Sequence, residues 1–369
     1  MLQHLAVQST AAPAGISQER LAMAFQAIAT TLRAPARKNP RPRLVQPTTP
    51  VAQRAVGDGP VPLGRLFPLY HRPGTVVFLD DQPDNLERLA AVLPRDWSVV
   101  TFASPHSCLN YLQQEPPRWE ADFWAQQRMI DAWYENASLI PQVLAYWVDH
   151  PERNSLTQVF VCDDMMPGMD GLDLLGELVD WPGYRVLLNS SYDEEQLEIV
   201  APRGLVDRCL AKQAPDLVTT LIDAVNGFLA MPNARQHQIW NRTLSVDQSL
   251  LLRMPSIAED LGNFARRTWV EWVAIGEPFG ILGIDGAGMV SWLQLEPAGE
   301  LAALAEAAVR HGATRCEQDD IRNGRSISDY RLQKCLGRGK AASVLPAFYV
   351  GDRGELLAAI QRIDTARRA

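Results

Sequence analysis

The residues able to do chemistry in this chain fall in four short stretches, each at the end of an apolar run. Asp80 and Asp81 follow Thr75-Val-Val-Phe-Leu79. Asp163 stands within Cys162-Asp-Asp-Met-Met-Pro-Gly-Met-Asp-Gly171. Ser190 follows Val186-Leu-Leu-Asn189, and Lys212 follows Cys209-Leu-Ala211. Clustered carboxylates repel one another unless a cation sits among them, and Mg2+ is a hard cation that takes oxygen ligands while keeping several waters. A carboxylate beside such an ion can attack a phosphoryl group and form an acyl phosphate. The oxygens of the transferring group must then be neutralised. The ion can take one, the Ser190 hydroxyl a second and the Lys212 ammonium a third. Taken singly, these residues have plainer roles. Asp80 and Asp81 suit a turn and a helix N-cap, Ser190 is a loop hydroxyl, and Asp164 is a solvated neighbour. Asp170-Gly171 reads as turn chemistry outside the site.

For four such stretches to meet, they must end strands of one sheet. The pattern predicts strands over 75–80, 97–102, 156–162, 185–189 and 205–211, short and rich in β-branched residues. Helical spacing lies between and after them, over 83–93, 105–112, 171–179, 193–200 and 216–229. Alternating strands and helices imply an α/β domain, a doubly wound five-stranded parallel sheet covered on both faces. Ligands bind outside the carboxyl ends of the strands in such sheets, where all four stretches lie. Residues 117–154 are an excess between the second helix and the third strand. They carry Trp119, Trp124, Trp133 and Trp147 and are too aromatic for disorder. A helical insertion on the flank of this domain is expected.

The flanks differ in character. Leu21, Phe25, Ile28 and Leu32 make one stripe of an amphipathic helix over 16–34, which needs a partner surface, its own chain or a second copy in a homodimer. Residues 35–70 hold eight prolines and read as a linker that does not pack. After Pro232 the pattern predicts helix over 245–275, strands at 280–284 and 289–295 around the hairpin Asp285-Gly-Ala-Gly288, an alanine-rich helix over 299–311, a strand over 343–350 and a closing helix over 354–363. The expected division is 1–73 as helix and linker, 74–230 as the parallel-sheet domain with its insertion, and 231–369 as a small α+β domain. This last part shows no signature of its own. Gly337-Arg-Gly-Lys340 is not a P-loop, since Lys334 and Ala341 stand where Gly and Ser/Thr are required.

Composition bounds the rest. With 47% hydrophobic and 21% charged residues the chain is globular. It has no run approaching the roughly 20 apolar residues of a membrane span and no basic-then-apolar leader. Five scattered cysteines without CxxC pairs suit a reducing cytoplasm, and the six histidines show no metal spacing. The net charge of −8 divides unevenly: residues 1–70 hold eight basic and two acidic side chains, and the acidic excess lies beyond them. No nucleic-acid partner is expected of so acidic a chain.

The segments FLDDQPDNL (78–86), VFVCDDMMPGMDGLDLL (159–175), VLLNSSYDEEQ (186–196) and CLAKQAPDL (209–217) resemble the CheY-like receiver domain of two-component response regulators. The resemblance covers residues 75–116 and 155–229. It implies that Asp80 and Asp81 are the acidic metal-binding pair, Asp163 the phosphoacceptor, and the backbone carbonyl of Met165 a further Mg2+ ligand. Ser190 would be the switch hydroxyl and Lys212 the family's lysine. It also implies a cytoplasmic switch rather than a metabolic enzyme, phosphorylated by a histidine kinase or phosphotransfer protein and acting on a downstream protein.

Three departures stand out. Gln213 replaces the proline usual after the lysine, so that peptide has little access to a cis form. Cys209 replaces an aromatic switch residue with a small apolar filler. The insertion is the third. Two other readings remain open. One is a pseudo-receiver, a structural adaptor that is not phosphorylated. The other is an aspartyl-phosphate phosphohydrolase, which usually carries a second acid two residues after its nucleophile; here Met165 or Gln82 stands there.

Overall fold

The computed structural model describes residues 66–190, 204–337 and 343–363. The helices expected over 16–34 and 193–200 lie outside the described residues, as does most of the proline-rich segment. In chain order the first part comprises β1 (Tyr70–His71), β2 (Thr75–Leu79), α1 (Pro83–Val92), β3 (Ser98–Phe102), α2 (Pro105–Gln113), α3 (Pro116–Tyr134), α4 (Leu139–Asp149), β4 (Thr157–Asp163), α5 (Gly171–Gly176), β5 (Tyr184–Asn189), β6 (Arg208–Ala211) and α6 (Leu217–Ala230).

Strands β3-β2-β4-β5-β6 form a five-stranded sheet in that order, and every pair is parallel. The order reverses direction beside β2, so the carboxyl ends of β2 and β4 open a crevice at the switch point of a doubly wound sheet. Side chains alternate between two cores, as the period of two requires. Val77, Leu79, Phe160, Cys162 and Leu187 pack with α2, α5 and Trp181. Val76, Phe78, Val159, Val161, Val186 and Leu188 pack with α1 and α6. Burial on both faces explains why these strands read as unbroken apolar runs.

The second part comprises α7 (Ala234–Asn241), α8 (Val246–Arg253), α9 (Pro255–Thr268), β7 (Glu271–Gly276), β8 (Phe279–Ile284), β9 (Val290–Pro297), α10 (Leu301–Arg310), α11 (Arg315–Arg322), β10 (Ser326–Ser328), α12 (Tyr330–Cys335), β11 (Val344–Pro346), β12 (Phe348–Val350) and β13 (Leu356–Arg362). Its sheet runs β1-β7-β8-β9-β13-β12, with antiparallel pairs throughout. An α+β domain was expected here, but several of its elements differ. The closing segment is strand β13, not a helix. Leu356 and Ala358 face one core, and Leu357 and Ala359 face another. A short apolar run buried on both faces cannot be told from a helix by periodicity, and leucine and alanine favour helix until the sheet overrides them. The helix expected over 245–275 breaks at Met254–Pro255 and ends at Thr268, before the aromatic and β-branched run of β7. The single strand expected over 343–350 is two, β11 and β12, in different sheets.

Two further corrections concern the joint between the sheets. The proline-rich segment does not stay unpacked to residue 70. Phe67, Leu69 and Tyr70 are buried, and β1 pairs with β7 as an edge strand. The insertion is helical, yet it is not an appendage on the flank of the parallel sheet. Met129, Ile130, Val143, Leu144 and Trp147 lie in one core with Trp240, Leu261, Trp272 and Trp292 of the second part. The N-cap of α3, just before the insertion, grips the parallel sheet. Buried Glu115 accepts from Thr157 N at 3.0 Å, Thr157 Oγ1 at 2.7 Å and Trp181 Nε1 at 2.9 Å.

Two buried ion pairs complete the joint. Arg72 Nη1 lies 3.1 Å from Asp122 Oδ2, which also accepts from Gln236 Nε2 at 3.2 Å. Arg153 makes a two-pronged contact with Glu271 at 3.0 and 2.5 Å. Limited proteolysis of the native protein should therefore spare 117–154. Early cleavage between Trp119 and Trp147 would contradict this packing.

Candidate functional site

Each strand of the crevice delivers one or two polar residues just where its ladder ends. Asp80 follows β2, and its carboxylate faces the start of α1. Oδ1 accepts from Gln82 N at 2.9 Å and from Asn85 Nδ2 at 3.2 Å. The side chain thus does local turn work, but it does not cap α1, whose N-cap is Gln82. Asp163 is the last residue of β4 and is 2% exposed. Its Oδ1 accepts from Met165 N at 3.2 Å, and its Oδ2 is paired with Lys212 Nζ. The same ammonium lies 3.2 Å from Asp80 Oδ2.

Lys212 reaches this place because β6 ends at Ala211 and its own N–H donates to Asn189 O at 2.8 Å. The Lys212–Gln213 peptide is trans, so the lysine meets both acids without the proline. Cys209 is half-buried and packs against the core beneath α2 and α5.

Carboxylate oxygens of Asp80, Asp81 and Asp163 all lie within 4.8 Å of one another. One lysine cannot balance three acids. Asp81 Oδ1 is buried with no hydrogen-bond partner, a costly state for a carboxylate oxygen unless a cation meets it. Oxygen donors alone, tightly grouped and under-neutralised, fit Mg2+. Burial pushes the Asp163 carboxyl above its usual range, with Asp164 adding to the rise, against the pull of Lys212 and the Met165 N–H. For Lys212, burial works toward a lower value, but Asp163 and Asp80 outweigh it and hold the ammonium above its ordinary range.

The loop after Asp163 is shaped by two glycines. Gly168 has φ of +87°, which favours glycine. At Gly171 a Cβ would come within 2.2 Å of the Asp163 carbonyl oxygen, so only glycine lets α5 begin against the strand end. Asp170 caps that helix, its carboxylate accepting from Asp173 N at 2.7 Å. Asp170 thus does turn work, as expected, but Gly171 shapes the site. Met165 has an exposed side chain, so anything it offers the site comes from its backbone.

Asp164 departs from expectation. It is buried rather than solvated. Its N–H donates to Leu188 O at 3.0 Å, and its Oδ2 accepts from Ser190 N at 3.0 Å. The end of β5 draws it inward, a contact between residues 26 apart that no local pattern announces. Ser190 itself is exposed and stands directly after β5. Asn85 was likewise not singled out from the sequence. Its place in the first turn of α1, five residues after Asp80, is the available signal.

No family model matches the chain, and no curated protein is similar to it in sequence. Solved structures are similar in fold. The response regulator LqsR of Legionella pneumophila superposes with a TM-score of 0.60 at 21% identity, covering 81% of this chain and 91% of that one. A CheY-like receiver domain protein of Methanospirillum hungatei is 17% identical, with a TM-score of 0.27 over 42% of this chain and 96% of its own. The signal receiver domain of NarL from Mycobacterium tuberculosis is 16% identical, with a TM-score of 0.27 over 43% and 97%. The parallel-sheet part has the receiver fold, and the likeness to LqsR extends past it into the antiparallel sheet.

Proposed function

We propose that this chain is a response regulator whose receiver accepts a phosphoryl group on Asp163. The observation that carries the reading is the Lys212 ammonium between Asp163 and Asp80, beside an acidic trio with one orphaned buried oxygen, at the switch point of a receiver fold. The donor is a phosphohistidine of a histidine kinase or phosphotransfer protein. An Asp163 carboxylate oxygen attacks phosphorus, the P–N bond breaks, and its electron pair returns to the imidazole. Lys212 sits where it can offset charge on the phosphoryl oxygens as the bond forms. The Ser190 hydroxyl donates to another of those oxygens.

Asp80, Asp81 and Asp163 would hold Mg2+, with the Met165 carbonyl as a backbone ligand. When bound, the ion neutralises the acids and the phosphoryl oxygens. Hydrolysis of the acyl phosphate resets the chain, which acts as a switch and passes its state on by protein contacts. The helical insertion, shared between the receiver and the second sheet, supports a route from one to the other.

Acetyl phosphate with Mg2+ should add one phosphoryl group, read by intact mass, and chelation of the metal should prevent it. Absence of any adduct in the wild-type chain would favour the pseudo-receiver instead, the reading that Cys209 and Gln213 support. Lys212→Ala should keep the fold, since the side chain is partly exposed, and should slow labelling by about 100-fold or more, the scale seen when one charge-stabilising donor is lost. An unchanged rate would remove Lys212 from the chemistry.

A further inference from the structure

Asp164 has no part in phosphoryl acceptance as described so far, and its surroundings give it one. The β5–β6 ladder closes with Lys212 N donating to Asn189 O, so the Ser190 N–H lies beyond the sheet's own hydrogen bonds. The group that takes it is the Asp164 carboxylate, through Oδ2 at 3.0 Å. Asp164 is itself anchored at both ends of its backbone. Its N–H donates to Leu188 O at 3.0 Å, and its carbonyl accepts from Gly171 N at 2.9 Å. Its side chain is buried, and Oδ1 has no hydrogen-bond partner. An acid kept in so dry a place, next to the already crowded Asp163, works against stability. What it secures is a hydrogen bond from a backbone N–H to a carboxylate, about twice as strong as a neutral one.

We infer that Asp164 is a positioning residue: it fixes the Ser190 segment relative to Asp163, so that the Ser190 hydroxyl stands where the phosphoryl group arrives. Asp163 and Asp164 are consecutive, so one short span of backbone sets the register between the nucleophile and the hydroxyl. This rests on the phosphoacceptor reading and deepens it. Transfer rates depend steeply on such placement, since a shift of about 1 Å can cost up to ~100-fold.

The test measures labelling by acetyl phosphate and Mg2+ in the full chain, with thermal melting to confirm folding. Asp164→Ala should slow labelling about tenfold. Asp164→Leu, which fills more of the space without an acceptor, should do the same and serves if the alanine variant does not fold. Asp164→Asn should recover most of the rate, because its side-chain oxygen still accepts from Ser190 N. In a Ser190→Ala background, where no hydroxyl is left to place, Asp164→Ala should add little further loss.

Three results would overturn the inference while leaving the phosphoacceptor reading in place. These are a wild-type rate in folded Asp164→Ala or Asp164→Leu, an asparagine variant as slow as alanine, and fully additive losses in the double variant. A wild-type chain that takes no phosphoryl group overturns the reading and the inference with it.

Discussion

Asp163→Asn is expected to leave the chain folded and to abolish its labelling by acetyl phosphate and Mg2+. Asparagine keeps the volume of the side chain and an oxygen able to accept from Met165 N, so the loop after β4 should hold its shape. It removes the charge that pairs with Lys212 and the nucleophilic oxygen itself. An amide oxygen does not form a stable acyl phosphate, so the loss should be complete rather than graded. Asp81→Asn, by contrast, removes one charge from the trio and should weaken labelling in a way that added Mg2+ partly restores. Intact mass gives the stoichiometry, and peptide mapping places the adduct. A phosphoryl group that persists on the Asp163→Asn chain would move the acceptor elsewhere, with Asp164 and Asp80 the first places to look.

Glu271→Ala should destabilise the protein more than any surface change. The carboxylate is buried, meets Arg153 at two points and accepts from Tyr70 Oη at 3.3 Å. Arg153 Nη1 is held by Trp147 O at 2.7 Å, within a buried setting it cannot easily leave. Removing Glu271 strands that guanidinium, and breaking a buried pair from one side costs about 3–5 kcal/mol. For a domain of this size that corresponds to a fall in Tm of roughly 10 °C.

Glu271→Gln should cost less, since it keeps hydrogen-bonding capacity while losing the charge. A loss under about 1 kcal/mol for Glu271→Ala, measured by denaturant or thermal unfolding, would show that water reaches Arg153 and that the joint is looser than its burial implies. Labelling of Asp163 should survive in the fraction that stays folded, because the joint lies away from the carboxyl ends of the strands.

How much of this was legible in advance differs between the two parts. The receiver strands announce themselves through short apolar runs, each ending in a polar residue. Parallel neighbours must then be joined by crossovers that carry helices, the long one between β3 and β4 holding the insertion as well. Strand β13 did not announce itself. The run Leu356-Leu-Ala-Ala-Ile360 carries helical propensity, and only its place between β9 and β12 makes it a strand. The tryptophans of the insertion predicted helices, but not which sheet they would cover. The choice depends on Trp240, Leu261 and Trp292, about a hundred residues away or more.

The sequence by itself pointed to Asp80, Asp81, Asp163 and Lys212, whose side chains meet at the crevice, and to Ser190 at the end of the neighbouring strand. In a parallel sheet the end of each strand is a fixed address, and residue type at that address decides the chemistry. Tertiary structure alone decided that Asp164 turns inward to hold the Ser190 segment and that Gly171 presses against the strand end. It also decided that the second sheet recruits an edge strand from before the receiver and two helices from within it. The Asp164 contact and the recruitment by the second sheet depend on burial and hydrogen bonds between segments far apart in the chain, and the Gly171 contact on a loop that folds back over eight residues; a local pattern of residue types carries no record of such partners.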